Sequence, residues 1–335
     1  MRNMLDLKKV LFVFMALALL TMVVGCDSSG GGATTAAGDE LKGTITISGA
    51  FALYPMMQRW TDEFTKLHPG VQFDLSAGGA GKGMTDALNG AVDIGMVSRA
   101  ITAEEEGKGA FWVSCVKDAV FVTVNEKNPV LQDLQRQGLT QEVLAKIWIT
   151  NEVTSWGQVV GRPEVTDSVD VYTRSDACGA ADIFAKFLGG SKAVQDDLQG
   201  SAKTNIAVNA DPGLLDAVIK DRLGIGFNNL NYAFDAQTGV AVAGAQVISI
   251  DANANGQVDP DETYTTQQAA MDAVATGKYP SPPARAENLV TLGKPTGLVL
   301  AFLNWILTGG QQYDAEAGYV PLLPDQLAEQ IDKLK

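Results

Sequence analysis

The feature that most constrains this chain is a unit of strand, glycine-bearing turn and helix, met several times over. Thr44-Ile45-Thr46-Ile47-Ser48 reads as a strand and runs into Gly49-Ala50-Phe51-Ala52-Leu53-Tyr54-Pro55. Apolar residues then recur at Met56, Met57, Trp60, Phe64 and Leu67, which is helical spacing, and Pro55 suits a helix's first turn. Residues 71–75 form the next strand, followed by Gly78-Gly79-Ala80-Gly81-Lys82-Gly83 and a helix through Met84 and Leu88. Residues 92–96 are a third strand; residues 169–173 a further one, leading through Arg174 into Ser175-Asp176-Ala177-Cys178-Gly179-Ala180-Ala181. This order predicts an α/β sheet whose helices start at strand ends. Helix starts present free N–H groups and the positive end of the helix dipole, so the turns at 49–55, 78–83 and 175–181 are candidate anion loops. The stretch 78–83 lacks the Gly-Lys-Ser/Thr of a P-loop and does not follow the dinucleotide pattern, so nucleotide binding ranks low.

Further along, residues 120–124 read as a strand broken at Asn128-Pro129-Val130, and residues 139–148 as a helix. Trp156 reads as core. A helix over 214–219 leads into Gly224-Ile225-Gly226-Phe227. The apolar helix over 298–307 is too short to cross a bilayer and reads as buried.

The length of 335 residues fits two domains of ordinary size. With 39 acidic against 25 basic side chains and a net charge of -14, the chain lacks the footprint of a nucleic-acid binder. Its single histidine, His68, sits in the turn Leu67-His68-Pro69-Gly70, which excludes His-rich metal centres and most Ser-His or Cys-His pairs. At the N-terminus, Arg2, Lys8 and Lys9 precede residues 10–24, an uncharged run of 15 residues with the length of a signal h-region. It ends at Val23-Val24-Gly25-Cys26, which resembles a bacterial lipobox with Cys26 as the lipidated residue. Residues 26–42 then form a small, polar tether. The chain is expected to be exported and held at the membrane by lipid alone, its body facing the periplasm or outer surface. Cys115 and Cys178 remain, and the sequence leaves open whether they pair; two separate thiols are the preferred reading.

Asp251-Ala252-Asn253-Ala254-Asn255-Gly256-Gln257-Val258-Asp259-Pro260-Asp261-Glu262 fits the twelve-residue EF-hand loop. Asp251, Asn253, Asn255, Asp259 and Glu262 would supply oxygens, Gln257 its carbonyl, and Gly256 the sharp turn. Val247-Ile248-Ser249-Ile250 before it reads as a strand and not an entering helix. The expectation is structural calcium, against an ion-free Asx-rich turn. No catalytic cofactor is expected.

Taken together, these motifs resemble the phosphate-binding subunits of bacterial phosphate ABC transporters, from about Gly43 to Leu323. Ser48 through Pro55 looks like the first anion loop, Gly78 through Gly81 the second, and Val92-Asp93-Ile94-Gly95-Met96-Val97-Ser98-Arg99 the third. Asp118 to Val124 with Asn125 and Asn128-Pro129-Val130 resembles the first crossover, and residues 149–156 the segment that follows it. Arg174 to Ala180 resembles the family's Arg-x-Asp-Gly-Ser-Gly-Thr loop, while Gly293-Lys294-Pro295 and Gly318-Tyr319-Val320-Pro321-Leu322 resemble its C-terminal return. The resemblance implies two α/β lobes, residues 43–120 with 265–335 and residues 121–264, clamping phosphate in the cleft and presenting it to a permease, as a monomer and not an enzyme. Carried over by position, Arg174 is the cationic partner. Leu53, Tyr54, Gly179 and Ala180 offer backbone N–H groups, and Asp176 orients Arg174 or caps the helix.

The chain departs from the family in its hydroxyls. Ala52 and Leu53 stand where Ser or Thr is common, Ala80 and Cys178 replace Ser, and Ala180 replaces Thr. Ser98 stands where an Asp usually accepts the proton of hydrogen phosphate, and Arg99 beside it is a candidate second cation. A different anionic solute and a non-transport surface role therefore stand as alternatives. An enzyme with Cys178 as nucleophile at a helix start is the remote one.

Overall fold

The computed structural model describes residues 40–335. The expected signal segment, Cys26 and all but the last three residues of the tether lie outside the described residues. Ten strands make one hydrogen-bonded sheet: β1 (Gly43–Gly49), β2 (Val71–Ala77), β3 (Ile94–Val97), β4 (Ala110–Asn125), β5 (Asp170–Arg174), β6 (Ile206–Val208), β7 (Gly224–Asn229), β8 (Ala245–Ile248), β9 (Ala284–Leu292) and β10 (Val320–Pro321). The order is β2-β1-β3-β9-β4-β7-β5-β6, with β8 and β10 also on β4. β1 pairs in parallel with β2 and β3, and β5 with β6 and β7; β9 and β4 run antiparallel between these two groups.

Six helices matter for the site: α1 (Tyr54–Leu67), α2 (Ala80–Leu88), α3 (Gly179–Gly189), α4 (Ala210–Lys220), α5 (Gln267–Thr276) and α6 (Gly297–Ile306). α1 buries Met56, Met57, Trp60 and Phe64, the residues whose spacing predicts it. α6 is half sunk in the core through Phe302, Leu303 and Ile306. Among the described residues no helix is long and apolar enough to cross a membrane.

Two hydrophobic clusters lie on either side of the β4–β9 pair. One gathers Ile45, Trp60, Met96, Val113, Leu289 and Phe302; the other gathers Phe121, Trp148, Trp156, Phe184, Phe227 and Tyr279. β4 joins them, with Val113 to Val116 in the first and Ala119 to Val124 in the second. The burial of so much apolar surface in two places is what makes two halves. α5 packs into the second cluster through Ala270, Met271 and Val274, beyond the expected boundary at 265. Leu41 packs on the first cluster. Cys115 and Cys178 are separate, buried thiols.

β4 is much longer than the strand expected at 120–124. Ahead of that stretch it carries Ser114, Lys117 and Asp118, which interrupt the apolar run. Pairing with β9 supplies the register there: Asp118 stands opposite Arg285 and Val116 opposite Glu287.

Candidate functional site: a buried arginine between the two halves

The anion-loop turns fall at the ends of their strands. β1 ends at Gly49, where φ is +137° and an added Cβ would lie 2.3 Å from the Met96 carbonyl oxygen. Only glycine lets β1, β3 and α2 approach this closely. β2 passes through Gly78 and Gly79 into α2, and β3 ends one residue before Ser98. β5 ends on Arg174, and the turn that follows delivers Cys178 as the cap of α3: its sulfur accepts the Ala181 N–H at 3.3 Å. Gln195 braces this turn, accepting the Cys178 N–H at 3.0 Å and donating to the Asp176 carbonyl at 2.7 Å.

Arg174 is the centre of the arrangement. Its guanidinium is fully buried and grips Asp176 in a fork, Nε to Oδ1 at 2.8 Å and Nη2 to Oδ2 at 2.6 Å. Its Nη1 donates to Asp211 Oδ2 at 2.6 Å, from the first turn of α4. The Phe51 ring of the first half covers the guanidinium, 5.7 Å from its centre. Burial alone would lower the Arg174 pKa, but Asp211 and Asp176 raise it above its ordinary value. Burial likewise pushes Asp176 up, but the hydrogen bonds from Arg174 and the Ala210 N–H hold it below the usual carboxylate range. A guanidinium has five N–H donors. Those three bonds leave one N–H on each terminal nitrogen.

The loops of the two halves interlock around this arginine. The Gly81 N–H donates to the Ala177 carbonyl at 3.2 Å. A Cβ on Gly179 would lie 2.2 Å from the Ser98 carbonyl oxygen and 2.3 Å from its hydroxyl. Tyr232, from the second half, donates its O–H to the Phe51 carbonyl at 3.1 Å, and Tyr319 donates to the Ala52 carbonyl. Beside the interlock is a cavity of about 440 Å³ lined by Ala80, Gly81, Arg99, Cys178 and Gln195 among others.

The structure thus brings Arg174, Asp176, Ser98, Ala80, Cys178, Gly179 and Ala180 to one seam. Gly179 and Ala180 start α3, where the helix itself provides no acceptor for their N–H groups. The first loop differs from expectation. Leu53 donates its N–H to the Ala50 carbonyl at 3.3 Å, and Tyr54 to that of Phe51, so both amides are used inside the turn. Ala52 and Leu53 are buried, and the Tyr54 side chain lines a different groove with Gln58 and Phe73. Arg99 is taken by Glu105 in a fork of 3.0 and 2.7 Å. Burial pushes Glu105 up, yet Arg99 and the Thr102 N–H bring it down to about 2. Arg99 is therefore a neutralised loop anchor. Burial pushes Cys178 up to about 12, so its thiol stays protonated at neutral pH, opposite to a nucleophile's requirement.

Asp211, Phe51, Gln195 and Tyr232 are absent from the sequence-based set. Asp211 opens a helix and reads there as a local dipole partner; nothing local points across 37 residues to Arg174.

The loop 251–262 folds around its first and last carboxylates. Asp251, 2% exposed, accepts the N–H groups of Asn255 at 3.2 Å and Gly256 at 2.9 Å. Glu262, 6% exposed, accepts those of Ala252 at 2.8 Å and Asp259 at 3.1 Å. Asp259 accepts the side-chain amides of Asn253 and Asn255 at 2.8 and 2.9 Å. Gly256 takes φ +81°. No three His, Cys, Asp or Glu side chains among the described residues form a metal-holding group, those of Asp251, Asp259 and Glu262 included.

Comparison with known proteins identifies the family and the fold. Residues 34–309 match the model of the PBP superfamily domain. The phosphate-binding protein PstS of Bacillus subtilis is 26% identical, the alignment covering 94% of each chain. That of Methanocaldococcus jannaschii is 26% identical over 96% of this chain and 94% of its own. Among solved structures, a Clostridium perfringens protein with bound phosphate aligns with TM-score 0.66 and 19% identity, covering 84% of this chain and all of that one. An ABC-type phosphate transport receptor from Vibrio cholerae aligns with TM-score 0.60 and 21% identity, covering 83% and 100%.

Proposed function

Since this chain belongs to the PBP superfamily, we propose that it is an extracytoplasmic binding protein that captures phosphate between its halves and hands it to an ABC permease. The observation that carries this reading is Arg174: a buried fork, two N–H groups unspent, at the seam where both halves meet. The names of the Bacillus and Methanocaldococcus relatives point to phosphate as the anion. The N–H groups of Gly179 and Ala180 add donors that survive the loss of neighbouring hydroxyls. Because Ala80, Cys178 and Ala180 donate no hydroxyl bond, charge-assisted contacts are fewer and affinity is modest for the family. The Gly81–Ala177 bond across the seam must open to admit the anion, so binding is coupled to movement of the halves. We place the protein as a monomer held at the membrane through lipid on Cys26.

Calorimetry with phosphate, and with sulfate as competitor, tests this. The expected result is saturable phosphate binding, with sulfate competing more strongly than in a site that keeps the proton-accepting Asp, because Ser98 stands in its place. Absence of any phosphate heat, with a heat for another oxyanion, would overturn phosphate as the ligand and leave the fold as it is.

We also propose that the loop 251–262 holds calcium in a structural role. The donor set is all oxygen: Asp251, Asn253, Asn255, Asp259, Glu262 and the Gln257 carbonyl. Its carboxylates accept hydrogen bonds from loop N–H and amide groups, with no Lys or Arg among those partners. An ion bound only by the folded state stabilises it by about 2.7 kcal/mol at a hundredfold excess over its Kd. Millimolar calcium is therefore expected to raise the melting temperature where magnesium does not, and Glu262→Gln to remove the effect. Equal melting with calcium and with chelator would leave an ion-free turn.

A further inference from the structure

The β4–β9 pair that joins the halves carries a buried charged cluster with unpartnered atoms. Arg285, Asp118 and Glu287 are all at least nine-tenths buried. Arg285 donates through Nε to the Ser98 carbonyl at 2.8 Å and through Nη2 to Asn229 Oδ1 at 2.5 Å. Asn229 in turn donates to Asp211 Oδ1 at 2.8 Å, and Asp211 is the carboxylate that holds Arg174. One unbroken path of side chains thus runs from the joining strands to the anion arginine, with a branch to the Ser98 loop of the other half.

Four atoms of the cluster have no hydrogen-bond partner: Arg285 Nη1, Asp118 Oδ2 and both oxygens of Glu287. Arg285 Nη2 lies 3.3 Å from Glu287 Oε1 and 3.5 Å from Asp118 Oδ2. A second ionised carboxylate here would compete with Ser98 and Asn229 for the guanidinium. We propose that Arg285 is a positioning residue of the anion site, holding Arg174 through Asn229 and Asp211, and that the neutral form of Glu287 leaves it free to do so.

The groups facing Glu287 are Arg285 on its own strand, Asp118 and Cys115 on β4, Asp211 on α4, and Tyr319 before β10. Burial, aided by Asp118 and Asp211, pushes Glu287 up to about 8 despite Arg285, and burial also raises Asp118. At neutral pH the two buried carboxyls therefore favour keeping a proton between them, by preference on Glu287, which is raised the further of the two. Raising the pH ionises Glu287, draws Arg285 away from Asn229 and Ser98, and loosens Arg174.

The proposal rests on the phosphate reading above, and the experiment separates the two. Phosphate affinity is measured by calorimetry between about pH 7.5 and 9.5 in the protein, in Glu287→Gln and in Arg285→Lys. The expected wild-type affinity falls about three- to tenfold across this range as the proton is lost. Glu287→Gln matches wild type at the lower pH and stays flat. Arg285→Lys, which keeps the charge but cannot span Ser98 and Asn229 together, binds about tenfold more weakly throughout. A flat wild-type profile, or a Glu287→Gln profile that falls in parallel, overturns the proposal, as does full affinity in Arg285→Lys. Hydrogen exchange without ligand provides the second arm. At the higher pH the Ser98–Arg99 amides of the wild type are expected to exchange faster than those of Glu287→Gln, and equal rates overturn the proposal. If no phosphate binds at any pH, the phosphate reading falls and the exchange arm still decides the role of Glu287.

Discussion

Arg174→Ala is expected to abolish phosphate binding and to cost about 3–5 kcal/mol of stability, because it leaves two buried carboxylates facing a void. Asp176 and Asp211 both spend their charge on this guanidinium, at 2.6 Å each. Without it they keep only neutral donors, the Ala210 N–H for Asp176 and the Asn229 amide for Asp211. Arg174→Lys separates the two effects. A lysine keeps one charge in the seam but cannot grip Asp176 in a fork while reaching Asp211, so it should recover part of the stability and little of the binding. Adding Asp211→Asn to Arg174→Ala removes one stranded charge and should return part of the lost stability without returning phosphate. Urea unfolding of the set, with phosphate titrations alongside, reads both quantities. A loss in Arg174→Ala below about 1 kcal/mol would mean that the guanidinium is solvated at rest and that the buried arrangement is not the free protein's ground state.

That arginine also marks how far sequence reasoning reaches. Arg174 and Asp176 are two residues apart on one turn, so their pairing follows from local chemistry. The turn itself is announced by a strand on one side and a glycine on the other. Asp211 and Arg285 are not announced. Each is an ordinary charged residue at an ordinary place, the first turn of a helix and the start of a strand. What makes them part of the site is a sheet order, β9-β4-β7-β5, that puts 285, 118, 229 and 174 on neighbouring strands or their ends. Periodicity records which face of an element is buried and not which element lies across from it. The same gap explains β4, whose earlier stretch, interrupted by Ser114, Lys117 and Asp118, is legible as strand only once β9 is set against it. Leu53 and Tyr54 fail as donors for a different reason. The chain enters α1 through a tight 3-10 turn that consumes the amides a direct helix start would leave free. Arg99 illustrates a third limit: Glu105, six residues on, neutralises it, a pairing that depends on how the short helix Ala103–Gly107, capped by Thr102, folds back.

Asp314→Asn is expected to make the protein more stable as the pH rises, by up to about 4 kcal/mol near neutral pH. Asp314 follows the turn Gly309–Tyr313 and is fully buried in the first half. Neither carboxyl oxygen has a hydrogen-bond partner, since the nearby Trp60 indole donates instead to the Gly310 carbonyl at 3.1 Å. Burial pushes the group up to about 8 from an ordinary 3.8. The sign follows from where the proton sits. Between those values the unfolded chain has released its proton and the folded chain has kept it. Folding then requires proton uptake, so stability is greatest in acid and declines by about 1.4 kcal/mol per pH unit until the folded group also ionises. Asparagine has the shape of the neutral acid and no proton to lose, so it removes that slope. Glu287 imposes a slope of the same direction on both proteins, which cancels in their difference. Urea unfolding of the two proteins at about pH 5, 6, 7 and 8 should therefore give a gap that widens with pH. Parallel curves would mean that water or a rearranged Trp60 reaches Asp314 and that its carboxylate is solvated in the folded state.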